Sequence, residues 1–114
     1  MTLRDLSLLD AFTEIVPPED PDREISVPYC CDLLSVAMHG APEDSAWCTV
    51  MNNINTLAVS SLADTACVIL CDGIPAAPDV KDKARQQEIC LYETKLNTFE
   101  AALEVYKKIH ELSI

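Results

Sequence analysis

Residues 47–73 read Trp47-Cys-Thr-Val-Met-Asn-Asn-Ile-Asn-Thr-Leu-Ala-Val-Ser-Ser-Leu-Ala-Asp-Thr-Ala-Cys-Val-Ile-Leu-Cys-Asp-Gly73. A short apolar run leads into a turn of asparagines, then a short apolar helical segment, then a second apolar run closed by Asp72-Gly73. Continuous apolar runs bounded by turn residues are what strands buried on both faces look like in sequence. The stretch therefore reads as one βαβ unit, whose two strands run parallel through a right-handed crossover. The fold class that follows is α/β: a single three-layer domain, with a mostly parallel sheet of four to five strands and helices on both faces.

Upstream of this unit, Thr2 with Asp5 is expected to cap a first helix, in which Leu6, Leu9 and Phe12 repeat at helical spacing. Thr13–Val16 reads as a short extended piece. Residues 17–22 are Pro, acid and Pro-rich connector, so residues 1–22 are read as a helix and linker and residues 23–114 as the α/β core. Residues 23–30 place Ile25, Val27 and Tyr29 on one side with a strand's period of two, and Pro28 marks this strand as an edge. Asp32 is expected to cap a helix over 33–39, ended by Gly40, and residues 42–45 form a turn.

Within the central unit Asn55 is expected to cap the helix, with Leu57, Ala58, Leu62 and Ala63 on its packed side. Downstream, Pro78 suits a first helical position, and residues 79–87 form a charged helix that buries Val80 and Ala84. Residues 88–92 read as the last strand. Asn97 with Glu100 forms a capping box for a final helix, whose Phe99, Ala102, Leu103 and Tyr106 recur at helical spacing. Lys107, Lys108 and His110 in its last turns complement the negative end of the helix dipole.

The chain has 114 residues, enough for one domain. Nineteen acidic residues against eight basic ones give a net charge of -11, which disfavours nucleic acid and anionic membrane surfaces because clustered Lys and Arg are missing. Residues 1–12 carry Arg4 and Asp5 and lack the unbroken apolar core of a signal peptide, and no apolar run reaches the length of a membrane span. The expected location is the cytoplasm. Six cysteines raise the question of a disulfide framework. Cys48, Cys67 and Cys71 lie inside apolar strand runs, where a free thiol packs as a small hydrophobe, so the cysteines are read as reduced.

Ligands in parallel sheets gather at the carboxyl ends of the strands. Four segments are expected to meet there: residues 29–32, 51–53, 71–73 and 93–95, which bring Asp72, Gly73 and Thr94 near the asparagine turn. One reading is an anion, a phosphate or an adenine nucleotide, held at Asn52, Asn53 and Asn55. The other is that these asparagines turn the chain and cap the helix, since no Gly-rich loop or Walker lysine accompanies them. Cys67 and Cys71 are four residues apart in a strand, about 13 Å, too far to share an ion, and no C-x-x-C occurs. No metal, cofactor or catalytic residue is expected. A redox role for Cys30 and Cys31, beside a helix start where a thiolate is favoured, stands as a further alternative. Asp32, Ser35 and His39 fall on one short helical segment, where capping and packing account for them, and Trp47 is read as a core residue.

Asp32-Leu33-Leu34-Ser35, the run Trp47–Met51, Asn55 with its apolar helix, and Ala66–Leu70 together resemble the DRTGG domain. This small α/β module accompanies CBS repeats in some inorganic pyrophosphatases and occurs in certain phosphotransacetylases, and the N-terminal domain of bacterial HPr kinase/phosphorylase is similar. The resemblance covers Arg23–Tyr106 and continues through Pro78-Asp79 and Thr98-Phe99-Glu100. Asp22-Arg23 stands where the name-giving motif begins, with its glycines replaced and Val27-Pro28 near their place. The resemblance implies a non-catalytic regulatory or protein-interaction module that forms a homodimer. Stand-alone versions in anaerobic bacteria imply a partner such as a hydrogenase or related redox protein. The kinase chemistry of HPr kinase belongs to a different domain.

Overall fold

The computed structural model describes residues 1–113, whose five strands form one sheet in the order β1-β5-β4-β3-β2. Strands β2 (Pro28–Cys30), β3 (Ala46–Thr49), β4 (Cys67–Leu70) and β5 (Leu91–Thr94) run parallel, and β1 (Phe12–Val16) joins β5 antiparallel at the far edge. Helices α2 (Leu34–Gly40), α3 (Ile54–Ala63) and α4 (Pro78–Gln86) cover one face, and α1 (Leu3–Ser7) and α5 (Thr98–His110) the other. This is the expected α/β sandwich. Every residue of β3 and β4 is buried, as the unbroken apolar runs require.

Two cores result, one on each side of the sheet. Trp47, Leu57, Val68, Leu70, Val80 and Leu91 fill the α2–α3–α4 side; Leu3, Leu6, Cys48, Ile69, Tyr92 and Val105 fill the α1–α5 side. Tyr92 is fully buried, and its hydroxyl donates to the Leu3 carbonyl at 3.2 Å and pairs with Ser7 Oγ at 2.7 Å. The first residues of the chain thus belong to the core: α1 packs on the sheet, and β1 completes its edge.

Several boundaries differ from the sequence reading, each for a local reason. The Thr2–Asp5 capping box forms, but α1 ends at Ser7 and Phe12 opens β1, so the Leu6–Leu9–Phe12 spacing does not continue one helix. The strand expected over residues 23–30 shortens to Pro28–Cys30; ahead of it Glu24 makes a single bridge to Thr2, and Arg23 turns to bind Asp44 and Asp64. The last strand begins at Leu91, not Glu88, because Glu88 adopts φ 58° and Ile89 N–H still donates to the Ala84 carbonyl as α4 ends.

Asp32 does not cap α2. Its carboxylate accepts from Thr49 Oγ1 at 2.8 Å and from Val50 N–H at 2.9 Å, tying the end of β2 to the end of β3. Gly40 is the last helical residue, and a Cβ there would sit 2.9 Å from the Tyr29 hydroxyl, so close approach selects glycine. Asn53, not Asn55, caps α3: its Oδ1 accepts from Asn55 N–H at 2.9 Å and Thr56 N–H at 3.3 Å. The buried side of α3 is Thr56, Leu57, Val59 and Ser60, whereas Ala58 and Leu62 face solvent. Pro78 opens α4 and Asn97–Glu100 caps α5 as expected. On α5 it is Ala101 and Val105 that are buried, while Phe99 is 70 % exposed and Tyr106 is also exposed.

Candidate functional site

The carboxyl ends of the four parallel strands do converge, and hydrogen bonds lace their loops together. Asn52 Nδ2 donates to the Pro75 carbonyl at 2.9 Å, and its Oδ1 accepts from Ala77 N–H at 3.0 Å. Glu93 Oε2 accepts from Ala76 N–H at 2.7 Å. Asp72 N–H donates to the Leu96 carbonyl and Gly73 N–H to the Thr94 carbonyl, through a turn in which Asp72 and Gly73 both have positive φ. Thr94 Oγ1 donates to the Ala11 carbonyl at 2.8 Å and accepts from Leu96 N–H at 3.2 Å.

Asn52, Asp72, Gly73 and Thr94 are therefore brought to one end of the sheet, with Asn53 and Asn55 at the start of α3. The side chains of Asn52, Asn53 and Thr94 and the backbone N–H groups of Asp72 and Gly73 are engaged in building the loops. Two of the donors that an anion would meet in the first turn of α3, Asn55 N–H and Thr56 N–H, point at Asn53 Oδ1. A depression of about 440 Å³ near Thr94 is lined by Asp10, Glu93 and Lys95, two acids against one base. That lining opposes a phosphate.

A second depression, about 280 Å³, opens at the amino ends of the strands beside Glu19, Arg23, Asp64 and Glu88. Hydrogen bonding to Glu88 and its charge raise the Glu19 carboxyl above its ordinary range. Arg23 stands 2.8 Å from Asp44 Oδ1 and 3.1 Å from Asp64 Oδ1, so its charge is already matched within the fold. Asp32, Ser35 and His39 form no relay, since Asp32 is held by Thr49 and Val50. Trp47 is fully buried, with Nε1 donating to the Cys31 carbonyl at 3.0 Å.

The cysteines separate by face and by exposure. All six are free thiols. Cys31 packs toward the Trp47 side, its thiol donating to the Leu33 carbonyl at 3.4 Å. Cys30 points the other way, toward α5, and is exposed, its thiol 3.4 Å from the Thr98 carbonyl. Adjacent residues of a strand face opposite sides, so the two cannot act together. Instead Cys30 is the register partner of Cys48 on β3, and Cys48 lies opposite Ile69, two residues before Cys71.

Thiols thus neighbour one another across three strands on the α5 face. The Cys48 thiol as hydrogen-bond donor brings Cys30 down to about 7, against partial burial and the Asp32 charge. Hydrogen bonding to Cys30 and Cys71, with burial, holds Cys48 protonated well above the ordinary thiol range. Burial pushes Cys67 up, and Cys90 to about 12, leaving both as packing residues. The Cys30–Cys48 register was not readable from spacing, because strand pairing alone creates it.

Among the described residues no group of three or more His, Cys, Asp or Glu is placed to hold a metal ion, and no helix is long and apolar enough to cross a membrane. Comparison with protein-family models and with curated proteins returns no match.

Proposed function

We propose that this chain is a non-catalytic interaction module that acts as a homodimer, joined through the outer face of α2 and α3. The observation that carries the proposal is the character of α3. Ile54, Ala58 and Leu62 recur every fourth residue, which aligns them on one ridge, and all three are exposed, Leu62 at 73 %. The helix carries no charge on any side, and Leu57 and Val59 anchor its buried side, so the exposed ridge is an apolar surface additional to the one that holds the helix on the sheet.

Charge supports the same face. Residues 45–63 contain no Asp, Glu, Lys or Arg, nor do residues 33–42, in a chain of net charge -11. Two acidic copies meet with least repulsion where neither carries charge. Helix α2 packs beside α3 and leaves Leu33 and Val36 exposed, extending the apolar surface. A stable interface needs about 800 Å² from each partner, roughly an eighth of the 6004 Å² total surface. At the strand ends Asn52, Glu93 and Thr94 spend their side chains on the loops, which supports a structural rather than a catalytic part for them.

The DRTGG resemblance adds a regulatory role and a redox enzyme, such as a hydrogenase, as the class of larger partner. Light scattering at micromolar concentration tests the dimer: the expected mass is twice that of the chain. Leu62→Asp and Ala58→Asp are expected to yield folded monomers, whereas Phe99→Asp, on the opposite face, leaves the dimer intact. A strictly monomeric wild type overturns the proposal. For the redox-enzyme partner, co-purification from anaerobic extract is the test, and an empty capture with dimeric protein counts against it.

A further inference from the structure

The thiol row under α5 has a chemical consequence separate from self-association. We propose that Cys30 and Cys48 form a hydroperoxide-reactive dithiol site, with Cys30 as the attacking sulfur and Cys48 as the resolving one. The two are register partners on neighbouring parallel strands. Such partners lie about 4.8 Å apart at Cα, inside the ~4.4–6.8 Å range that a disulfide spans. Cys30 is open to solvent and Cys48, beside it on the next strand, is buried, so reagents reach the first thiol and not the second.

The surroundings favour attack by Cys30. As a thiol it donates to the Thr98 carbonyl; once ionised it gives up that contact and accepts from the Cys48 thiol, which stays protonated. Cys31 faces the other side of the sheet, where the Tyr29 hydroxyl neighbours it and its thiol donates to the Leu33 carbonyl, and among the described residues no second cysteine stands within its reach there to resolve an oxidised sulfur. Strand β2 spans only Pro28–Cys30 and pairs on one side alone, with β3, so it can yield by the small distance that brings the two sulfurs into bonding range.

The reaction balances in two steps. The Cys30 thiolate attacks the terminal oxygen of a hydroperoxide; the S–O bond forms, the O–O bond breaks, and the leaving alkoxide takes a proton from water to become an alcohol. The Cys48 sulfur then attacks the Cys30 sulfenic sulfur. The S–S bond forms, the S–O bond breaks, and the Cys48 proton leaves with that oxygen as water. Two thiols lose two electrons and the hydroperoxide gains them.

The test uses the full chain, reduced and handled without oxygen, with tert-butyl hydroperoxide as probe. The expected product has lost two hydrogens by intact mass, retains four of its six thiols, and yields on digestion a peptide pair linking Cys30 to Cys48. Cys48→Ser is expected to stop at a Cys30 sulfenic acid that dimedone captures, and Cys30→Ser to lose the reaction. Cys30 should alkylate at least about tenfold faster than Cys31 in the native protein at neutral pH. Cys30 left as a thiol while other cysteines oxidise, a bond from Cys30 to Cys31 or to a second chain, or equal alkylation of Cys30 and Cys31 would each overturn the assignment.

Discussion

Arg23 offers the sharpest test of how the N-terminal segment is fastened to the sheet. Its Nε donates to Asp44 Oδ1 at 2.9 Å, and its Nη2 reaches the same oxygen at 2.8 Å, the Asp64 carbonyl at 2.8 Å and Asp64 Oδ1 at 3.1 Å. One guanidinium thus joins the chain ahead of β2 to the turn before β3 and to the C-terminal end of α3. A hydrogen bond to a charged group contributes about 1.5–3 kcal/mol when sheltered, and an exposed ion pair about 0.2–1 kcal/mol. The Arg23 side chain is 28 % exposed, Asp44 43 % and Asp64 63 %, so the two-pronged Asp44 contact belongs at the low end of the first range and the Asp64 contact in the second.

About 2 kcal/mol in total is expected to be lost in Arg23→Ala, lowering Tm by roughly 6–12 °C for a domain of this size. Thermal unfolding followed by circular dichroism measures it. The aspartates are best replaced by asparagine, because Asp44 and Asp64 have φ 64° and 55°, which asparagine tolerates. Double-mutant cycles should then show a larger coupling of Arg23 to Asp44 than to Asp64, and both should shrink in high salt. A Tm within about 2 °C of wild type, or a dominant Asp64 coupling, would refute the clamp.

Three shorter predictions rest on other single contacts. Asn53→Ala should lower stability by about 1 kcal/mol while Asn55→Ala stays within about 0.5 kcal/mol, as read from urea midpoints, because only Asn53 caps α3. Ser45→Ala should be neutral or stabilising by up to about 1 kcal/mol, since the buried Ser45 hydroxyl has no hydrogen-bond partner among the described residues; a clear loss would reveal one. The rate of Cys30 alkylation should rise with pH through a midpoint at about 7, below the ordinary thiol value of about 8.5. The sign follows from the Cys48 thiol, whose hydrogen bond to the thiolate outweighs the opposing effects of burial and the Asp32 charge. Cys48→Ala should move the midpoint upward, and an unmoved midpoint would break the link.

What the sequence disclosed and what it hid divide along the range of the forces involved. Capping boxes at Thr2–Asp5 and Asn97–Glu100 and the proline opening α4 act over three residues, and all three form as read. Strand β1 was visible only as an extended piece. Its place in the sheet comes from pairing with β5 across some eighty residues, with a bulge between Glu14 and Val16 that local alternation cannot announce. The same limit hid the chemistry of the cysteines. Cys30 and Cys31 are neighbours in sequence but face opposite layers, while Cys30 and Cys48 become neighbours only once β2 and β3 pair in register.

The errors on the helices are of another kind, and they point outward. On α5 the helical repeat of Phe99, Ala102, Leu103 and Tyr106 marks the helix but not its most buried side, which is Ala101 and Val105, since the sheet face beneath is already filled by Cys48, Cys71 and Tyr92 and a close-lying helix must present small side chains. On α3 the packed side differs from the expected one, because charge, which ordinarily marks the wet face, is missing from the helix, and its small polar residues fall on both sides, Thr56 and Ser60 buried, Asn55 and Ser61 exposed. Of the four residues placed inside, Ala58 and Leu62 lie outside, and nothing in their chemistry distinguishes them from Leu57 and Val59, which are buried. Selection for solubility acts on any apolar ridge left open to water, and a single exposed Leu needs no explanation. An aligned Ile54–Ala58–Leu62 ridge on a charge-free helix, beside a second charge-free helix, in so acidic a chain, is a different matter. The sequence could not say which side of α3 faces inward because neither side carries a charge and large apolar residues stand on both, Leu57 and Val59 inside, Ile54 and Leu62 outside, which is the expected condition of a helix that one copy buries against its own sheet and a second copy covers from outside.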